Sequence, residues 1–188
     1  MRVKRQLLFI QGGGKGVHDE WDSKLVESLQ RELGQDYEIR YPRMPSEDDP
    51  HYATWKTTLE REFGTLQDGA ILVAHSVGGT ILVKVLAEQS SVRKFGAIFL
   101  IATPFVGDGG WSADELQSPP DLGARLPKGV PIHFYHGLED EVAPPSHIEH
   151  YARAVPQAHV HRLRGRDHQL NNDLKEVAAA ILALGSRR

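Results

Sequence analysis

Residues 74–79 read Ala74-His75-Ser76-Val77-Gly78-Gly79, directly behind the apolar run Gly69-Ala70-Ile71-Leu72-Val73 and ahead of a second apolar run that begins at Ile81. The first run is short and branched, which reads as a buried strand, and the second has the spacing of a helix over 77–89. Ser76 therefore sits at the apex of a strand-turn-helix. Such a turn reverses the chain within two residues and forces the apex into a strained conformation, where large side chains two positions either way collide. Ala74 and Gly78 hold those two positions. The arrangement exposes a hydroxyl at the carboxyl end of a sheet, beside a helix N-terminus whose free N–H groups favour negative charge. The general pattern is G-x-S-x-G, and Ala74 departs from it only in the first place, where size is the requirement. A helix-capping serine in a glycine turn is the plain alternative.

The rest of the chain fits that junction. With 188 residues it is expected to form a single domain over 1–188. Hydrophobic residues make up 40% and charged residues 25%, and a net charge of -3 at pH 7 carries no polybasic footprint, which argues against nucleic acid or anionic lipid as partners. With zero cysteines there is no disulfide frame, thiolate metal site or cysteine nucleophile. The basic start, Met1-Arg2-Val3-Lys4-Arg5, is followed by only four apolar residues, Leu7 to Ile10, before Gln11 and three glycines. That reads as a strand rather than a signal peptide, and with no apolar run near the roughly 18 residues of a span, the expected location is cytoplasmic with no membrane partner.

Strand-like runs recur at 7–11, 38–41, 70–74, 96–101, 132–135 and 159–163, with helical stretches between several of them. Trp21, Leu25, Leu29 and Leu33 fall on one helical face before Gly34; Tyr52, Trp55, Leu59 and Phe63 do so before Gly64. Further helical stretches are 77–89, 146–154 and 170–184. The expected fold class is α/β, a three-layer α/β/α sandwich around a mostly parallel sheet of about six strands. Residues 103–130 break the rhythm with prolines at 104, 119, 120 and 127 and with Trp111, and so read as a lid or pocket loop, or as a plain surface excursion.

A serine hydroxyl is a poor nucleophile until a base takes its proton, and the base must be held by a carboxylate. Two downstream loops supply these groups at carboxyl ends of strands. His136-Gly137-Leu138-Glu139-Asp140-Glu141-Val142-Ala143-Pro144 carries three acids, of which Asp140 is preferred for its spacing from Gly137 and for Val142 and Pro144 behind it. Gly165-Arg166-Asp167-His168 places a histidine before the last helix. The chain order Ser76, Asp140, His168 is one that α/β sheets use for this chemistry. Acyl transfer also needs two backbone donors for the developing oxyanion. Val77 N–H is one, and the glycine loop after the first strand offers the other, Gly13 first and Gly14 second. That loop fits no nucleotide motif: Gly16 follows Lys15 where a P-loop has Ser or Thr, and Val17 fills the third glycine place of a dinucleotide fingerprint.

Gln11-Gly12-Gly13-Gly14, Ala74-His75-Ser76-Val77-Gly78-Gly79, the His136-Gly137-x-x-Asp140-x-x-x-Pro144 loop and Asp167-His168 together resemble the α/β-hydrolase superfamily. Size and layout are similar to its small serine-hydrolase branch, the branch of retinoblastoma-binding protein nine, from Leu7 to Leu184. The resemblance implies a minimal α/β-hydrolase fold lacking the two leading antiparallel strands. It further implies a Ser-His-Asp serine hydrolase of esterase or amidase type, with Ser76, Asp140 and His168 in the matching places.

The expected activity is therefore cleavage of a small-molecule carboxylic ester or related acyl bond through an acyl-enzyme, with no cofactor and no metal. The alternatives are an acyltransferase and a binding protein that keeps the fold without the chemistry, since fold does not fix function. Other polar residues receive ordinary readings. His75 is expected to be packed and hydrogen-bonded, His159 and His161 to be a solvated or structural pair, and His147 and His150 to lie on the surface. Asp167 is adjacent to His168 and poorly placed to orient it, and His18 near the glycine loop is not assigned. Phe105 and Trp111 are read either as walls of an acyl pocket or as core.

Overall fold

The computed structural model describes residues 4–89 and 94–185; residues 1–3 of the basic start lie outside the described residues. In chain order the elements are β1 (Arg5–Ile10), α1 (Ser23–Leu33), β2 (Tyr37–Arg40), α2 (Tyr52–Thr65), β3 (Ile71–His75), α3 (Ser76–Glu88), β4 (Ala97–Ile101), α4 (Leu122–Arg125), β5 (Ile132–Gly137), α5 (Ser146–Ala154), β6 (His159–Leu163) and α6 (Lys175–Gly185). The strands pair in the order β2-β1-β3-β4-β5-β6, every pairing parallel.

Side chains alternate across each strand, so a strand buried on both faces reads as a continuous apolar run. Leu8, Ile10, Leu72, Ala74, Ile98, Leu100 and Phe134 meet the helices of one layer, α2, α3 and α5, through residues such as Trp55, Leu59, Ile81, Leu82, Val85 and Tyr151. Leu7, Phe9, Ile71, Val73, Phe99, Ile101 and Tyr135 face the other layer, where Leu25 and Leu29 of α1 and Val177, Ala178 and Ile181 of α6 cover them. Each large side chain buried this way contributes about 1.5–3 kcal/mol relative to exposure. Helix α3 is buried nearly all round, which explains the unbroken apolar run behind Ser76.

The strand order positions the site. The chain steps from β1 outward to β2, then returns to place β3 on the other side of β1. The connections leaving β1 and β3 thus diverge, and a crevice opens between them at the carboxyl edge of the sheet. The 12–16 loop and Ser76 both lie there.

Two helical expectations shift. Trp21 was expected to open the stripe of Leu25, Leu29 and Leu33, but α1 starts at Ser23 and Trp21 belongs to a preceding π-helical turn, Val17–Asp22, with half its surface exposed. The buried place at the head of that stripe is taken by Asp22, 0% exposed. The last helix does not begin at Leu170: a 3-10 turn, Leu170–Asn172, precedes α6. Residues 103–130 carry a bridge between Val106 and Trp111, a 3-10 turn at Asp114–Leu116, and α4. Their start is anchored by the Pro104 carbonyl, which accepts hydrogen bonds from Thr80 Oγ1 at 2.6 Å and Tyr151 Oη at 3.0 Å.

Candidate active site

Ser76 has φ 52°, the left-handed region that a side chain disfavours. The turn is held by close backbone approach. A Cβ on Gly78 would stand 2.0 Å from the Gln11 carbonyl oxygen, and one on Gly79 would stand 2.2 Å from Thr103 Oγ1. Ala74, in the first place of the pattern, is accommodated in the core at 0% exposure.

The side chains singled out in the sequence meet. Ser76 Oγ lies 3.0 Å from His168 Nε2, and His168 Nδ1 lies 2.8 Å from Asp140 Oδ2. Of the three acids in its loop, Asp140 alone is buried. Its Oδ1 accepts the N–H groups of Val142 at 2.9 Å and Ala143 at 2.8 Å, while His136 Nε2 is 3.2 Å from Oδ2. Burial works to raise the Asp140 pKa, but the donors from His136, His168 and Ala143 outweigh it and hold the carboxyl far below the usual carboxylate range. His168 is shifted down, first by burial and further by the nearby His75, against the opposing pull of Asp140. A neutral imidazole at neutral pH follows, with one nitrogen facing a carboxylate and the other a hydroxyl, the arrangement that can accept a proton from Ser76.

The 12–16 loop is fixed by two carboxylates. Asp22 Oδ2 accepts Gly12 N–H at 2.7 Å. Glu47 accepts from Gly16 N at 3.0 Å, His18 N at 3.1 Å and Gln11 Nε2 at 2.7 Å, and its carbonyl takes Gly14 N–H. The amides on either side of Gly13 are therefore engaged. Gly13 itself adjoins the elbow, since a Cβ there would be 2.7 Å from Val77 Cγ1 and 2.6 Å from Pro50 Cγ.

A cavity of about 600 Å³ opens over Ser76, bounded by Gly12, Gly13, Val17, Trp21, Glu139 and Val142, among others. No residue of 103–130 lines it; its apolar walls come from Val17, Trp21 and Val142, none of which the sequence pattern marks as a pocket residue. Trp111 is 40% exposed and stands against His147, while Phe105 packs on Tyr151.

The remaining histidines divide. His75 is packed and hydrogen-bonded as expected, with Asp22 and the His168 carbonyl as partners. His147 was placed on the surface but is buried, because its Nδ1 accepts Phe105 N–H at 2.7 Å, a partner forty-two residues away along the chain. His161 Nε2 is 3.1 Å from His133 Nδ1, and its ring stacks on Tyr135. His18 stacks on Tyr41 and is not part of the cavity wall. Asp167 Oδ1 accepts from Gln169 N and Asn171 N, capping the turn that follows. Among the described residues no cluster of three His, Asp or Glu side chains is disposed to hold a metal ion.

Comparison with known proteins identifies the fold and the family. Among solved structures, the ydeN gene product of B. subtilis is 19% identical with a TM-score of 0.74, the alignment covering 98% of this chain and 100% of that one. The meta-cleavage product hydrolase of Pseudomonas fluorescens IP01 is 13% identical with a TM-score of 0.77, over 98% and 91% of the two chains. The esterase domain of a Rhodothermus marinus protein is 16% identical with a TM-score of 0.65, over 100% and 88%. These likenesses establish the α/β-hydrolase fold. A search of curated proteins finds no match. A family model described as serine hydrolase matches residues 7–173, from within β1 through the Ser76 turn and Asp140 to beyond His168. The chain belongs to the serine hydrolase family and has the α/β-hydrolase fold.

Proposed function

We propose that the protein hydrolyses a small-molecule carboxylic ester, or a related acyl bond, through an acyl-enzyme formed on Ser76. The observation that carries this reading is the unbroken line from Ser76 Oγ through His168 to Asp140, with contacts of 3.0 and 2.8 Å, set on an elbow that strains the serine backbone. His168 Nε2 takes the serine proton as Oγ attacks the acyl carbon. Asp140, ionised and held by backbone donors, keeps Nδ1 protonated and Nε2 free to accept. The oxyanion is bound by the N–H groups of Val77 and Gly13, a choice supported by Gly12 and Gly14 having their amides engaged elsewhere. His168 then returns the proton to the leaving group, and water repeats the sequence to release the acid. Among the described residues no helix is long and apolar enough to cross a membrane; a cytoplasmic setting is part of the proposal, supported by the cysteine-free chain.

The test is labelling with a fluorophosphonate, comparing the native protein with Ser76→Ala and His168→Ala and locating the modified residue by mass spectrometry. Modification at Ser76, lost in both variants, is the expected result, together with ester hydrolysis that Ser76→Ala abolishes. A folded native protein that takes no label, or a Ser76→Ala variant with full turnover, overturns the reading.

A further inference from the structure

Behind Ser76 lies a second His-Asp pair that the acyl-transfer chemistry does not use. Asp22 is 0% and His75 2% exposed. His75 Nδ1 is 2.9 Å from Asp22 Oδ1 and 3.0 Å from Oδ2, and His75 Nε2 is 3.0 Å from the carbonyl oxygen of His168. Both ring nitrogens thus face groups that only accept. A neutral imidazole has one N–H and one bare lone pair, and either tautomer would press that lone pair against an oxygen. Asp22 shows no sign of supplying the missing proton: its Oδ2 also receives Gly12 N–H at 2.7 Å and its Oδ1 receives Gln169 Nε2 at 3.2 Å, a donor set suited to a carboxylate.

We propose that Asp22 and His75 form a permanently ionised pair, and that the His75 imidazolium is a positioning residue holding the base and oxyanion loops in register on either side of Ser76. The proposal rests on the reading of Ser76 and His168 given above. One end of the pair grips the peptide of His168; the other, through Asp22, grips the peptide of Gly12, next to the proposed oxyanion donor Gly13. His75 is itself the last residue of β3, so three loops from three strands are tied at one point.

The pair also acts on the base electrostatically. The rings of His75 and His168 are 4.9 Å apart, and a cation there disfavours protonation of His168. The titratable groups acting on His75 are Asp22 ahead of α1, Asp140 after β5 and His168 after β6; Tyr41, after β2, lies within the field of the Asp22 charge. Burial opposes the His75 charge, yet the two carboxylates and the His168 carbonyl carry its pKa above the usual value, while that of Asp22 lies below its own.

The direct experiment is long-range proton–nitrogen NMR of the native protein with nitrogen-labelled histidine at about pH 8, where an ordinary histidine, with a pKa of about 6.5, is neutral. Both ring nitrogens of His75 are expected to be protonated while His168 shows one bare nitrogen. A neutral tautomer at His75 overturns the proposal. Asp22→Asn supplies the second arm. The amide keeps the shape, and Gln169, whose Oε1 has no hydrogen-bond partner among the described residues, can turn to meet it. We expect His75 to become neutral, kcat to fall at least about tenfold with KM little changed, and the acid limb of kcat/KM to move up by about half a unit or more as the cation beside His168 is lost. A loss of activity with an unmoved limb, or no loss, overturns the positioning role. Fluorophosphonate labelling of the native protein separates the two readings. A labelled protein with neutral His75 sinks this inference alone, whereas an unlabelled one with charged His75 sinks the proposed reaction.

Discussion

Gly78 passes so close to Gln11 that a Cβ on the glycine would stand 2.0 Å from the Gln11 carbonyl oxygen. The turn that carries Ser76 and the loop after β1 are therefore one packed unit. Gly78→Ala is expected to force the two apart, costing about 1–3 kcal/mol of stability by overpacking and lowering kcat on the order of a hundredfold as the proposed oxyanion loop shifts. Ala74→Gly, at the opposite flank, costs only about 0.5–1 kcal/mol, the ordinary price of glycine in a strand. Urea unfolding and ester hydrolysis of the two variants check the contrast. Equal effects would mean that the close approach does not govern the elbow.

Strain at Ser76 makes a prediction of opposite sign. Its φ of 52° suits glycine and penalises any side chain. Ser76→Gly and Ser76→Ala both lack the hydroxyl, and both are expected to be inactive. The glycine variant should be the more stable by about 1 kcal/mol, because only it relieves the backbone. Chemical denaturation of the two proteins decides this. An alanine variant at least as stable as the glycine one would show that the turn stores no strain.

The fold was legible because the four inner strands, β1, β3, β4 and β5, are short, mostly apolar runs that are largely buried, and Ser76, Asp140 and His168 stood out because each follows a strand end at one edge of the sheet. What escaped detection depends on long-range partners or on small shifts of phase. Trp21 and Asp22 are neighbours, and a π-helical turn ahead of α1 turns the tryptophan to the cavity and the acid to the interior. Asp22 was still traceable, since it precedes Leu25 and Leu29 at helical spacing and is the one acid on that buried stripe. Glu47 gave no such signal: its partners Gln11, Gly16 and His18 lie about thirty residues upstream, and no local pattern announces a carboxylate folded over a glycine loop.

Gly13 is wedged between Pro50 and Val77, with 2.6 and 2.7 Å left for a Cβ to reach their side chains. Gly13→Ala must push back Pro50 and Val77 or shift its own loop, and a shift of the loop or of Val77 would carry a proposed oxyanion donor with it. The expected result is a fall in kcat of about 10²–10³, with fluorophosphonate labelling slowed to match and KM changed far less. A variant that loses affinity and keeps kcat would place Gly13 in substrate binding instead.

Asp140→Asn tests the carboxylate through the tautomer it imposes. The amide oxygen can still accept from Val142 and Ala143, leaving the NH₂ to face His168 Nδ1. His168 then carries its proton on Nε2 and cannot accept one from Ser76, so kcat should fall on the order of 10⁴ in a folded protein. Circular dichroism with single-turnover kinetics checks both halves. A loss of less than tenfold would mean that Asp140 holds the loop without controlling the base.

The pH dependence follows from the direction of the His168 shift. Its pKa is lowered, first by burial and then by His75, so the imidazole stays neutral to lower pH than an ordinary histidine at about 6.5. The base works only when neutral, and kcat/KM therefore falls as pH drops through the folded-state value. At pH ~6.5 the native protein should keep more than half of its maximal kcat/KM. Stability has the same sign: the unfolded chain takes up the His168 proton first, so this group weakens the fold as pH falls below about 6.5. Asp140 adds to the loss below about 4, where its unfolded form protonates and the folded carboxylate still resists. A kcat/KM profile with a substrate that does not titrate in this range measures the limb. A midpoint above the ordinary histidine value would show that the carboxylate of Asp140 outweighs burial and the His75 charge at this base.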